Sequence, residues 1–329
     1  MHYSNNYWIN RREFIASTLG ILAVALPGCG GKPETLEKRL DVPSSVPETR
    51  TADSIIALRQ QKLNELVQKY GSRTVESIVY DHDKSIIRER VPTEYAKEFV
   101  SDQVINSAKE TVLRREDLSK EQKDRFIALL NSPQARSQLE QEARERAKAN
   151  LEKYIQNAQG ITPYNTKDFG LGKKSTIYMP STAFDGRTVI MGDGTRVTYS
   201  PDVALNVRVR HEIFHAEGNF DGMDFGDGFV VNSSNFNSLR REIKDFANEF
   251  NAHFNTYEFF KKEGAKDEIV VAVDYFKNAV GRMFNETISP LANSGILSDF
   301  EHRLVYFLSE KWNSLLPELA PIVKEPVPK

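Results

Sequence analysis

The sequence has a single cysteine, Cys29, so one chain cannot form an internal disulfide. Its 44 basic and 46 acidic side chains give a net charge of −2, which provides no electrostatic basis for binding nucleic acid. After residue 30, no segment approaches the roughly 18 consecutive apolar residues that predict a transmembrane helix. The hydrophobic fraction of 40% and the charged fraction of 27% are typical of a globular chain with a core of normal size.

The first thirty residues have the layout of an export signal. Arg11 and Arg12 precede an apolar run, residues 14–26, which leads into the letters LPGC ending at Cys29. The paired arginines resemble the twin-arginine class of bacterial signals, and the LPGC ending resembles a lipobox. This resemblance implies a signal peptide over residues 1–28 and an exported lipoprotein, anchored through Cys29 to a membrane of the cell envelope on its periplasmic or cell-surface side. An uncleaved N-terminal anchor helix with an unmodified cysteine is the alternative interpretation.

Three further segments follow the expected signal. Residues 29–53 mix prolines, serines and charges without an apolar period, which predicts a flexible tether carrying the lipid. Residues 54–160 show helical spacing of apolar side chains and predict a helical region. Residues 161–323 begin with a change to Gly, Thr, Val, Ile and Tyr, and Gly-Asp-Gly at 192–194 between two β-rich runs predicts a hairpin. A small sheet is therefore expected directly before the next helix.

That next helix has clear start and stop signals. Ser200 is a favourable N-cap, and Pro201 follows at the first helical position. Gly218 predicts the end of the helix after about seventeen residues, because glycine is common just beyond a helix C-terminus.

This helix contains two histidines four positions apart, with a glutamate directly after the first. Positions four apart lie on one face of a helix, so His211 and His215 converge on one point. Two imidazoles in this arrangement are suited to ligating zinc, and Glu212 beside them can take a proton from a water polarised by the metal. A surface helix with two solvated histidines is the alternative.

The letters HEIFH, residues 211–215, resemble the H-E-x-x-H signature of the zincin metallopeptidases. The resemblance implies an α+β, mostly helical fold in which residues 161–323 form a zincin-like catalytic domain with a small sheet. It further implies that His211 and His215 ligate Zn²⁺ and that Glu212 is the general base.

Two candidates compete for the third metal ligand. Asp221 fits H-E-x-x-H-x-x-G-x-x-D, a variant seen in some metzincins, with Gly218 at the turn. Glu249 and Ala252 resemble the E-x-x-A pattern by which gluzincins supply a glutamate from a second helix. The pattern favours Glu249, because the acidic residues around Asp221 are equally typical of a surface loop, and both candidates stay open.

A third histidine lies close to Glu249 in the sequence. His253 follows Glu249 by one helical turn on the same face, where it can orient the ligand or stabilise an oxyanion. Tyr257 and His302 are further candidates for the oxyanion donor. The alternative is that Glu249 and His253 are an exposed polar face.

The combined signals predict zinc-dependent hydrolysis of peptide bonds by a membrane-anchored lipoprotein of the cell envelope. Its expected partners are a peptide or protein substrate and the membrane, with no nucleic acid. A non-catalytic envelope lipoprotein acting as a binding or structural module is the rival from a different class. The two differ in whether Glu212 is needed.

Overall fold

A computed structural model of the chain describes residues 48–71, 73–155, 158–163 and 169–323. The expected signal peptide and Cys29 lie outside the described residues, as does most of the expected tether. Within the described part, no helix is both long and apolar enough to cross a membrane.

The described chain is mostly helical with short strands, which confirms the expected α+β, mostly helical class. The helices are α1 (Glu48–Tyr70), α2 (Ser85–Phe99), α3 (Asp102–Arg114), α4 (Lys120–Asn131), α5 (Pro133–Ile155), α6 (Pro201–Asp221), α7 (Ser233–Phe236), α8 (Arg241–Glu263), α9 (Lys266–Phe276), α10 (Ser289–Ala292) and α11 (Asp299–Leu319). The strands are β1 (Val75–Tyr80), β2 (Ser175–Met179), β3 (Arg187–Ile190), β4 (Arg196–Tyr199), β5 (Met223–Asp224) and β6 (Val230–Val231). A 3-10 turn covers Ser181–Phe184, and π-helical turns cover Lys277–Gly281 and Phe284–Ile288.

The described residues form two compact units. Of the described residues, the first unit comprises Ile56–Ile87 and those between 151 and 323, and the second comprises residues 48–55 and Arg88–Asn150. This division differs from the boundary expected near residue 160, because the expected helical region contains strand β1, which pairs with β2 in the first unit.

The second unit is helical. Its apolar contacts fall into two small clusters, formed by Ile105, Ala108, Leu130 and Leu139 and by Ala96, Ala143 and Ala147. Ser119 and Gln122 form a reciprocal capping box that starts α4. Helix α4 ends at Asn131, and α5 begins at Pro133.

The first unit contains three two-stranded sheets among its described residues. Strands β1 and β2 are parallel, and their register aligns Tyr80 with Met179. The expected hairpin is confirmed, because β3 and β4 are antiparallel and align Ile190 with Arg196 on either side of the Gly-Asp-Gly turn. The third pair, β5 and β6, follows α6 and is also antiparallel.

Helix α6 packs between the β1–β2 sheet and helix α8. On the sheet side, its apolar residues join a buried cluster with α1, β1 and β2. That cluster contains Leu63, Leu66, Val75, Ile78, Tyr80, Ile177, Met179, Ala183, Leu205, Val209, Ile213 and Ala216. One face of α6 is therefore covered by the β1–β2 sheet and another by α8. This packing on both sides fixes the position of the helix.

The start of α6 is as expected, and its end is not. Ser200 is the N-cap, and its side chain accepts a hydrogen bond from the amide of Val203 at 3.4 Å. The helix continues through Gly218 to Asp221 and ends at Gly222, which has a φ of 87°. Gly218 lies inside the helix, buried beside Met223 and the α8 residues Asn248 and Asn251 at distances that leave room for a Cβ atom, so it does not terminate the helix.

Part of the expected tether is also helical. Helix α1 begins at Glu48, so residues 48–53 belong to a helix and not to the tether expected over residues 29–53. This helix continues without a break into the helical region expected from residue 54 onward.

Candidate metal centre

Helix α6 brings the two motif histidines to one buried point. His211 and His215 lie one turn apart, and their Nε2 atoms are 3.0 Å from each other. Their rings meet edge to face, with centroids 4.5 Å apart. Both side chains are buried, so the alternative of two solvated histidines on a surface helix is wrong.

Helix α8 supplies a carboxylate to the same point. Glu249 Oε2 lies 3.6 Å from His211 Nε2, and Glu249 Oε1 lies 3.6 Å from His215 Nε2. The apolar residues of α8 position this glutamate, because Ile243, Phe246 and Phe250 are fully buried beside it. Glu249 is itself only 1% exposed, which excludes the alternative of an exposed polar face.

These three side chains have the donor set and the spacing of a metal site. Each offers one donor atom, and the three atoms lie within 4.8 Å of one another. Tetrahedral zinc with bonds of about 2.0–2.1 Å requires neighbouring donors about 3.3 Å apart. The observed separations of 3.0 and 3.6 Å lie on either side of that value. Two imidazoles and one carboxylate suit zinc and other first-row transition metals, whereas calcium and magnesium take oxygen ligands.

A second layer of contacts orients the ligands. Asn248 Oδ1 lies 3.1 Å from His215 Nδ1, and an amide oxygen there accepts a proton from Nδ1. The proton of neutral His215 therefore stays on Nδ1 and is donated in a hydrogen bond to Asn248 Oδ1, which leaves the Nε2 lone pair facing His211 and Glu249. Burial also lowers the pKa of His215, which favours the neutral form that a metal requires.

His253 lies beside Glu249 and is not one of the three grouped donors. Its Nε2 is 3.3 Å from Glu249 Oε2, and its ring centroid is 4.1 Å from that of His211. The other face of the ring stacks on Phe276. In this position His253 can orient the glutamate, which is the first of the two roles considered from the sequence.

Glu212 is buried next to the three donors, under a segment of the chain upstream of β2. Thr162 Oγ1 donates to Glu212 Oε2 at 2.7 Å. Gly160 passes so close that an added Cβ would lie 2.6 Å from Glu212 Oε1. Burial raises the pKa of Glu212 to about 8, partly offset by the Thr162 hydrogen bond. A carboxyl group with this value is suited to exchanging protons near neutral pH.

The remaining candidates lie apart from the cluster. Asp221 is the last residue of α6, is exposed, and forms a two-oxygen contact with Arg73 at 2.8 and 2.9 Å. Tyr257 donates its hydroxyl proton to Glu318, and its pKa rises to about 12 through burial and through that bond. His302 is exposed on α11.

Comparison of the chain with protein-family models, curated proteins and solved structures finds no significant match. The assignment of the metal centre therefore depends on its side-chain chemistry and geometry.

Three residues that shape the centre were not among the candidates predicted from the sequence. Asn248 immediately precedes Glu249, and an amide beside a ligand is a signal that pattern analysis can use. Gly160 and Thr162 carry no such signal, because they reach Glu212 only through the pairing of their segment with β2. Their contact with α6 joins residues about fifty positions apart in the sequence.

Proposed function

We propose that this protein is a zinc-dependent hydrolase of peptide bonds, in which His211, His215 and Glu249 hold the metal and Glu212 is the general base. The observation that carries the proposal is the convergence of two imidazole nitrogens and one carboxylate within 3.0–3.6 Å, with a second carboxylate on the adjacent residue. A 2-His-1-carboxylate set alone also suits iron. The adjacent buried acid–base group favours hydrolytic zinc chemistry.

When bound, zinc supplies a Lewis acid that lowers the pKa of water and polarises a carbonyl group. Glu212 accepts the proton of the attacking water and returns it to the leaving amine. Burial raises the pKa of Glu212, and a bound zinc ion beside the carboxyl would lower it and favour the ionised base. His253 and Asn248 hold Glu249 and His215 in orientation. The burial of the ligands excludes bulk water and strengthens the interactions among charges in the centre.

We also propose the cellular setting implied by the N-terminus. Export through a twin-arginine-type signal, followed by lipidation at Cys29, would anchor the folded part to a membrane of the cell envelope. The substrate in that setting is a peptide or protein outside the cytoplasm. Replacing Cys29 with Ala is expected to move the protein from the membrane fraction to the soluble fraction, and unchanged retention would contradict this setting.

A non-catalytic module with a structural metal is the second candidate. The observation that favours it is the burial of His211, Glu212, His215 and Glu249, which are between 1% and 7% exposed. Structural zinc sites are closed, whereas catalytic sites keep one position open. The two functions are separated by Glu212, which a purely structural site does not need.

The test combines metal content with hydrolysis of a mixed peptide library by the full chain. The wild type is expected to contain one zinc ion per chain. Glu212→Gln is expected to retain zinc and to lose about 10²- to 10⁴-fold in hydrolysis rate, as for removal of a general base. Glu217→Gln, on the same helix but paired with Arg210, is the matched control and should keep both properties.

Absence of zinc from the wild type after reconstitution would contradict the proposal. Retention of full activity by Glu212→Gln would leave only the non-catalytic module.

A further inference from the structure

Residues 158–163, here called the covering segment, lie along the face of α6 that carries the metal centre. At one end, Gln159 Oε1 accepts from Arg208 Nε at 2.7 Å and from the hydroxyl of Tyr275 at 3.0 Å. At the other end, the carbonyl oxygen of Pro163 lies 3.5 Å from Asn219 Nδ2. Arg208 and Asn219 are eleven residues apart on α6, so the segment extends over about 16 Å of the helix.

The covering segment also adds to the edge of the β1–β2 sheet. Ile161 and Tyr178 exchange both main-chain hydrogen bonds, each 2.9 Å long, in an antiparallel bridge. An extended chain that bonds to a sheet edge through its main chain is the arrangement by which many peptides bind to proteins. The covering segment is therefore held as a bound peptide is held, although it belongs to the same chain.

The middle of the segment lies against the proposed general base. Gly160 packs on the Glu212 carboxylate with no room for a Cβ atom, and Thr162 donates to the same carboxylate. A general base must lie within hydrogen-bond distance of the water that attacks the substrate. That water must therefore reach a carboxylate oxygen of Glu212, and here Gly160 packs on Oε1 while Thr162 bonds to Oε2.

We propose that the covering segment occupies the substrate-binding site and must leave it before a peptide can be hydrolysed. This inference rests on the proposed function. In the closed state, the main chain at Gly160 blocks Glu212, and the edge of β2 is paired with Ile161. In the open state, the edge of β2 and the donors Arg208 and Tyr275 are available to an extended peptide.

Because substrate binds only the open state, kcat/KM is proportional to the open fraction of the protein. Gln159→Ala removes the acceptor Oε1, and with it two hydrogen bonds that stabilise only the closed state. Since the net loss of one or two such bonds changes an equilibrium about 5- to 30-fold, kcat/KM is expected to rise by that factor. Gln159→Glu strengthens the bond to Arg208 through its charge and is expected to lower kcat/KM.

A reversible covalent lock gives the sharper test. Antiparallel partners that exchange both hydrogen bonds have Cα atoms about 5.5 Å apart, within disulfide range. Ile161→Cys with Tyr178→Cys is therefore introduced into the full chain carrying Cys29→Ser, so that no other thiol competes. Thr188→Cys with Thr198→Cys bridges the β3–β4 hairpin and is the matched control.

Two readouts are measured on zinc-loaded protein, with the disulfide oxidised and then reduced by a phosphine. The oxidised lock is expected to reduce peptide hydrolysis at least tenfold and to slow removal of zinc by a soluble chelator, with recovery of both on reduction. The hairpin control should respond in neither readout. Gln159→Ala is the second variant, should the double cysteine variant fail to fold.

The outcomes separate the inference from the proposed function. If zinc is bound and Glu212→Gln is inactive, the proposed function stands. An oxidised lock as active as its reduced form, or a Gln159→Ala variant with unchanged or lower kcat/KM, then overturns the inference. If the wild type binds no zinc, the proposed function itself fails, and the inference fails with it.

Discussion

Three side chains from two helices meet at one buried point in this protein. His211 and His215 reach it because residues four apart share a helix face, and Glu249 reaches it because its neighbours on α8 are packed in the core. The histidine pair was predictable, since its spacing belongs to one local helix. The sequence favoured Glu249 over Asp221 but did not decide between them, since both fit a known ligand pattern. Only the packing of α8 on α6 shows that Glu249 lies beside the two histidines.

At the scale of single residues, substitutions of the two candidate ligands are expected to affect zinc affinity differently. Glu249→Gln keeps the shape of the side chain but replaces the carboxylate, so zinc affinity should fall by more than the roughly 10- to 100-fold effect of losing an outer-shell partner. Asp221→Asn should leave zinc affinity unchanged, because Asp221 is exposed and contacts Arg73. Competition with a chromophoric chelator measures both. The reverse order would restore Asp221 as the ligand.

Helix α6 is the element that carries the centre, and its two ends illustrate what local sequence can decide. The start at Ser200 and Pro201 was predictable, because capping is a property of a few adjacent residues. The end was not. Gly218 has the residue type of a helix stop, but it is buried beside Met223 and α8 inside a helix that continues to Asp221.

Two glycine substitutions test where α6 ends. Gly222→Ala should destabilise the protein by about 2 kcal/mol, since a side chain at positive φ is strained and the added Cβ would lie 2.8 Å from Val231 O. Gly218→Ala should be neutral or stabilise by about 0.5 kcal/mol, because alanine favours the helix and the nearest atom would be 3.4 Å away. Urea unfolding of both variants measures the difference. The opposite pattern would indicate that the helix ends at Gly218.

At the scale of the whole molecule, the decisive feature is the pairing of distant segments. Strand β1 lies in a region with helical spacing, and it pairs with β2 about 100 residues later. A six-residue strand of this kind has little local signal of its own. A second long-range pairing, of Ile161 with Tyr178 in β2, places Gly160 and Thr162 over Glu212. This contact buries the face of α6 that carries Glu212.

The burial of Glu212 predicts a pH dependence of stability for the metal-free protein. Burial raises the pKa of this carboxyl from 4.5 to about 8, so the folded protein holds a proton that the unfolded chain releases. The contribution of Glu212 to stability is therefore fully present below about pH 4.5 and is lost as the pH rises toward about 8. The slope is at most about 1.4 kcal/mol per pH unit.

Glu212→Gln cannot lose a proton, so its free energy of unfolding should fall less than that of the wild type over this range. Denaturant unfolding from pH 5 to pH 8, with a chelator present, compares the two proteins. Zinc must be absent, because a cation beside the carboxyl favours its charged form. Parallel curves for the two proteins would show that Glu212 is ionised throughout.

The sequence by itself determined the helical character of the chain, the hairpin, the start of α6 and the convergence of His211 and His215, because each depends on residues a few positions apart. The tertiary structure alone decided the contact of Glu249 with the two histidines, the end of α6, the pairing of β1 with β2, and the cover over Glu212. These depend on which surfaces are buried against each other. Burial is a property of the packed molecule, and similar local patterns are compatible with several packed arrangements.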